Sequence, residues 1–187
     1  MEPTVSADPT RPPARLVLVT GVPGTGKSTV AEAISGRLAA PVLAHDWAMS
    51  GLRPYPELQE ALDRMQPIGH RVVGWSILGA LARAQLRVGR SVVLDGVARA
   101  PEVARCREVG AAEGAAIAVV VTRCSDPDVH RARIEGRRRG IPDWYELEWD
   151  QVRRTLERWE EPEGDLVLDT VAPWEDTEHR VAQWLST

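Results

Sequence analysis

The sequence predicts an α/β fold, a parallel sheet covered by helices on both faces. Three observations carry that expectation. Short apolar runs recur through the chain, as in "RLVLVT", "SVVLDG", "AAIAVVVT" and "DLVLDT". Strands of a sheet buried on both faces read as such runs and not as alternating ones. Segments of helical period separate them, the alternation that makes parallel neighbours. The glycine-rich stretch "GVPGTGKS" lies between the first run and the first helix.

"RLVLVT" (Arg15–Thr20), followed by Gly21, reads as a buried parallel strand. "KSTVAEAISGRLAA" repeats Val30, Ile34 and Leu38 every fourth residue, with Pro41 as its stop. "PVLAH" reads as the second strand. Neighbours on a strand face opposite ways, so His45 is expected to be structural while Asp46 faces the site. "PELQEALDRM" and "VVGWSILGALARAQLRVG" read as helices, the second ended by Gly89. "SVVLDG" (91–96) is a strand, and "PEVARCREVGAAEG" opens as a helix on proline. After the strand "AAIAVVVT", the helix "SDPDVHRARIEGRRR" has Asp126 as its N-cap and Pro127 at its first position. "DWYELEWDQVRRTLERW" places Asp143 and Glu146 at capping-box spacing. Trp149, Val152, Leu156 and Trp159 then form one apolar face. The strand "DLVLDT" and the helix "WEDTEHRVAQWL" close the chain.

One domain is expected over residues 15–187, after a polar, proline-rich tail (1–14) read as disordered. That tail has no apolar core of a secretory signal, and no run is long enough to span a membrane. A cytoplasmic location is the expectation. The net charge of -4 argues against a dedicated nucleic-acid binder. Cys106 and Cys124 make no disulfide framework and are too few for a zinc site.

Residues 21–28 fit the phosphate-binding pattern G-x-x-x-x-G-K-[ST] at every fixed position. In the loop of Gly21, Val22, Pro23, Gly24, Thr25 and Gly26, the glycines let backbone N–H groups turn inward around phosphate oxygens; Pro23 has no N–H to give. The N-terminus of the following helix, with Thr29 in its first turn, adds partial positive charge. Lys27 is the only lysine among the 23 Lys and Arg residues. A compact ammonium reaches the β- and γ-phosphates where a broad, planar guanidinium does not substitute. Ser28 offers a hydroxyl to Mg²⁺, and Asp95, at the carboxyl end of "VVLD", is a second metal-side oxygen donor. A strand-end or capping aspartate is the plainer reading of Asp95. The dinucleotide pattern G-x-G-x-x-G is absent.

Asp46 follows the second strand, where a carboxylate can take a proton from a substrate hydroxyl. The plainer reading is a helix cap. Trp47 would line the acceptor pocket. "RARIEGRRRG" holds five arginines and reads as a lid over the transferring phosphate, about 131–146. Arg133 and Arg137, four apart, would share a helical face. The alternatives are a solvated helix face and a nucleic-acid backbone contact.

These stretches together resemble the P-loop small-molecule kinases: the gluconate, shikimate and chloramphenicol phosphotransferases, and the kinase domain of polynucleotide kinase. The resemblance rests on "GVPGTGKST", Asp46, "VVLDG", "DPDVHRARIEGR" and "LVLDT", spread from Arg15 onward. It implies a three-layer P-loop NTPase fold with five parallel strands in the order 2-3-1-4-5. It implies ATP and Mg²⁺ as cofactors, Asp46 at the acceptor hydroxyl, and Arg133 and Arg137 in the lid. Asp169 and Thr170 would lie near the adenine. Two departures stand out. The shikimate-type pattern has an acidic residue where this chain has Ala44. "DGVAR" (95–99) is similar to the D-G-x-x-R of adenylate kinases, which implies that Arg99 holds an anionic group of the acceptor. The expected activity is transfer of the γ-phosphate of ATP to a small molecule's hydroxyl. A nucleotide or polynucleotide 5′-hydroxyl kinase is the alternative within enzymes, and a nucleotide-binding switch the alternative outside them.

Overall fold

The computed structural model describes residues 13–65 and 69–187. Most of the expected tail lies outside them. Five strands form one all-parallel sheet: β1 (Arg15–Thr20), β2 (Val42–Ala44), β3 (Val92–Asp95), β4 (Ala116–Arg123) and β5 (Leu166–Asp169). Their order is β2-β3-β1-β4-β5, as the resemblance implies. Parallel strands need crossovers, and helices supply them on both faces.

The side chains of β1 divide the core. Leu16 and Leu18 face one layer, with Trp75, Leu78 and Val103. Val17 and Val19 face the other, with Val30, Ile34, Leu168 and Val181. The first layer is covered by α4 (Gly69–Leu86) and α5 (Ala100–Ala112), the second by α1 (Lys27–Leu38) and α8 (Trp174–Leu185). All four β1 residues are fully buried. Truncating Leu18 to alanine would cost about 2–5 kcal/mol, the usual range for a core leucine.

Several local expectations change. Helix α1 stops at Ala39, in the left-handed region at φ 47°, before Pro41 is reached. Ser35 Oγ donates to Ala40 O at 2.5 Å and fixes that turn. Strand β2 has only three residues, so His45 and Asp46 open a short helix, α2 (His45–Ser50), and are not strand neighbours. Between it and α4 lies α3 (Pro56–Arg64). Helix α6 (Pro127–Glu135) begins as read, with Asp126 Oδ1 accepting from Asp128 N and Val129 N at 2.9 and 3.1 Å. It ends before Arg137, so the two lid arginines do not share a helical face. Asp143 and Glu146 are not the capping box either. Helix α7 (Trp149–Leu156) is capped at Glu148, whose N–H donates to Gln151 Oε1 at 2.9 Å.

Candidate active site

The parallel register sets the site. Ala44 of β2 lies beside Asp95 of β3, and Asp95 beside Val19 of β1. All three strands therefore end at one edge, where the phosphate loop and α2 begin. Carboxyl edges of parallel sheets bind ligands because the loops there diverge.

The loop is braced from several sides. Thr25 Oγ1 donates to Val22 O at 2.8 Å and lies 2.7 Å from Thr122 Oγ1 on β4. His130 Nε2, on α6, donates to Pro23 O at 2.7 Å. A methyl group on Gly24, whose φ is 89°, would come within 2.9 Å of that imidazole. Lys27 Nζ donates to Val22 O at 2.9 Å, so the ammonium lies folded over its own loop. Burial pulls Lys27 down, Arg137 and Arg139 add to that, and Asp95 and Asp46 oppose it. The result is about 8, against the ordinary 10.5.

Ser28 Oγ donates to Asp95 Oδ2 at 2.7 Å. Burial raises the Asp95 carboxyl, while the Lys27 charge and the Ser28 hydroxyl oppose the rise. The two oxygens form a hard donor pair next to the phosphate loop. Mg²⁺ is held in this way, by few protein oxygens with phosphates supplying the rest. Among the described residues no group of three or more His, Cys, Asp and Glu forms a complete metal cage. The donor set therefore fits Mg²⁺ carried in with a nucleotide.

A cleft of about 1070 Å³ connects these groups to Asp46, Trp47, Arg99 and Arg137. Asp46 Oδ2 accepts from the Arg139 guanidinium, and Oδ1 lies 3.5 Å from His45 Nδ1. Burial alone would raise the Asp46 carboxyl. The His45 contact and the charges of Arg139 and Lys27 outweigh burial and hold it below the usual carboxylate range. It is an ionised carboxylate lining the same cleft as Lys27.

The two expected lid arginines separate: Arg137 lines the cleft, and Arg133 joins the expected adenine residue Thr170. Arg133 turns away from the cleft, its NH1 donating to Thr170 Oγ1 at 2.8 Å and its NH2 to Thr170 O at 2.6 Å. Thr170 Oγ1 in turn lies 3.2 Å from Thr25 O. Asp169 Oδ1 accepts from Ser125 N and Val171 N, each at 3.2 Å, and shapes the loop after β5. Arg139 was not singled out in the sequence. Its backbone N–H donates to Glu146 Oε1, its Nε to Glu146 Oε2, and its guanidinium also reaches Asp46 and Tyr145 O. The only local signal was its place in an arginine run ahead of Gly140. Arg71 and Arg99 also went unpaired in the sequence. Buried Glu102 lies 3.5 Å from Arg71 Nε and, as the cap of α5, accepts from the Arg99 backbone N–H at 2.9 Å.

A family model described as an AAA domain matches residues 16–162. The chain belongs to this family. It is 31% identical over 143 residues, 73% of each chain, to a UPF0200 protein of Aeropyrum pernix. Among solved structures it resembles a gluconokinase from Sinorhizobium meliloti 1021, with TM-score 0.66, 22% identity, and 93% and 92% of the two chains covered. It also resembles the Mycobacterium tuberculosis APS kinase in complex with AMPPNP and APS, with TM-score 0.63, 21% identity, and 95% and 100% covered. This member of the AAA domain family thus has the fold of P-loop small-molecule kinases. Among the described residues no helix is long and apolar enough to cross a membrane.

Proposed function

We propose that this protein is a phosphotransferase that moves the γ-phosphate of ATP to a hydroxyl group of a small acceptor. One observation carries the reading: the Asp46 carboxylate lines the same cleft as Lys27 and the Ser28–Asp95 pair. A nucleotide switch needs the loop and the metal donors but no oxygen base facing them. The fold shared with kinases, one of them solved with AMPPNP, supports nucleotide binding on the loop.

In this reading the backbone N–H groups of residues 21–28 cradle the phosphates. Lys27 leaves Val22 O and places its ammonium against the β- and γ-oxygens. Ser28 and Asp95 would hold Mg²⁺, which would supply shielding of phosphate charge. Asp46 orients the acceptor hydroxyl and takes its proton as the new P–O bond forms, the bond from the γ-phosphorus to the bridging oxygen breaks and ADP leaves. Arg137 and Arg139, in a lid about 131–146, balance charge in the transition state. Arg133 instead anchors the loop of Asp169 and Thr170 beside the nucleotide. Trp47 and Arg99 line the acceptor side, and Arg99 suits an acceptor with an anionic group. This happens within one kinase domain spanning 15–187, at a cytoplasmic location.

The test is transfer from γ-labelled ATP to nucleosides, nucleoside monophosphates, sugars, aminoglycosides and 5′-hydroxyl oligonucleotides. Labelling of one acceptor class, lost in Asp46→Asn with ATP affinity retained, is the expected result. Label appearing only as inorganic phosphate would favour the switch.

A further inference from the structure

Asp46 is followed and preceded by very different neighbours. Trp47 is more than half exposed, whereas the His45 side chain is mostly enclosed. The imidazole sits between two glycines. A methyl group on Gly74 of α4 would lie 2.3 Å from His45 Nε2, and one on Gly96 after β3 would lie 3.0 Å from His45 Cβ. The ring is thereby held in one place, with Nδ1 3.5 Å from Asp46 Oδ1. On its other side Nε2 is buried and has no hydrogen-bond partner among the described residues. The Trp75 ring lies 5.9 Å away, and its Nε1 is buried without a partner too.

The two ring nitrogens face unlike surroundings. A proton on Nε2 would bury an unmatched donor beside the indole, whose nitrogen is itself only a donor. A proton on Nδ1 meets a carboxylate, and hydrogen bonds to a charged group are the stronger ones. We propose that His45 is a positioning residue for Asp46: a neutral Nδ1–H tautomer, locked between Gly74 and Gly96, that orients the carboxylate against the phosphate loop. Arg139 holds the other oxygen from the lid, so one anchor is built into the core and the second comes from a loop. The catalytic value of this arrangement rests on Asp46 acting as the acceptor's base; the tautomer and its contact do not.

The experiment uses the full ¹⁵N-labelled chain, with the His45 ring signals assigned by their loss in His45→Asn. At pH 7 a pyrrole-type Nδ1 and a pyridine-type Nε2 are expected, with a shift toward the other tautomer in Asp46→Ala. The Nε2–H form in the wild-type protein would overturn the proposal. The second arm follows Mg·ATP turnover with water as acceptor. Asparagine places its amide nitrogen near the Nδ1 position, and glutamine near that of Nε2. His45→Ala and His45→Gln should lose about 10-fold in kcat, with KM for ATP unchanged, and His45→Asn should recover most of it. Equal loss in the asparagine and glutamine variants, at equal melting temperatures, would leave His45 as packing only. Full turnover in Asp46→Asn beside the expected tautomer would sink the base reading and spare the His45 contact.

Discussion

In the proposed function, Lys27 is expected to limit nucleotide binding at high pH. Its folded-state value near 8 means that the free protein loses the ammonium just above neutrality. Phosphate oxygens need the charged form, so binding above pH 8 must take up a proton. ATP affinity is therefore expected to hold between pH 6 and 7.5 and then fall by up to about tenfold per pH unit. Calorimetry in buffers of different ionisation enthalpy would show the proton uptake, and a flat affinity from pH 7 to 9.5 would contradict it. The stability sign runs the other way from a salt bridge. A cation with a lowered folded value is disfavoured in the fold, a cost present below about pH 8 that lifts as pH rises toward 10.5. Lys27→Met removes that cost. It should melt no lower than the wild-type protein at pH 7 while losing ATP binding, and Lys27→Arg should not restore turnover. At Asp46 the substitution to asparagine should lower transfer by about 10²–10⁴, the usual worth of a positioned base. ATP affinity should stay nearly constant, because Ser28 and Asp95 are untouched. Unchanged transfer would return Asp46 to the role of a helix terminus.

The arginine segment divides at the end of α6. Arg133 lies inside the helix and fastens it to Thr170, whereas Arg137 and Arg139 lie beyond it at the cleft. Alanine at Arg133 is expected to weaken ATP binding more than turnover, because the loop after β5 loses its clamp. Alanine at Arg137 or Arg139 should act mainly on turnover. An arginine supplied to a phosphoryl transition state is worth about 10³–10⁵ in rate elsewhere. Single-turnover rates and ATP affinities for the three variants would separate the roles; one common pattern in all three would remove the division. The sequence could not make it. Spacing of four puts two residues on one face only while the helix lasts, and α6 ends on the backbone geometry around Gly136. In the same way, the capping box expected at Asp143 and Glu146 went instead to Glu148 and Gln151, because Glu146 is engaged by Arg139.

Over the whole molecule, nucleotide binding and stability are linked through the sheet edge. The loop, Asp95, Thr122 and Thr170 come from four separate strands or their ends, so a ligand there ties the domain together. With Mg·ATP at a hundred times its Kd, stabilisation should be about 2.7 kcal/mol. For a domain of this length that is a rise of roughly 5–10 °C in melting temperature. Scanning calorimetry would show the rise in the wild-type protein and its absence in Lys27→Met. A rise of equal size in both would place the nucleotide elsewhere.

Local chemistry was legible in the sequence wherever a function depends on consecutive residues. A phosphate loop is built from neighbours, so "GVPGTGKS" declares itself, and buried parallel strands declare themselves as apolar runs. Asp95 and Asp46 followed, because strand ends on one edge share one cleft. Tertiary structure alone decided which side chains from distant segments meet there. Arg139 reaches Asp46 across 93 residues, and His130 braces Pro23 across 107. His45 gained its place only when Gly74 and Gly96 closed around it, after the second strand proved too short to send it to the opposite face. Contacts of that kind depend on how helices dock on the sheet, and no periodicity in the chain encodes them.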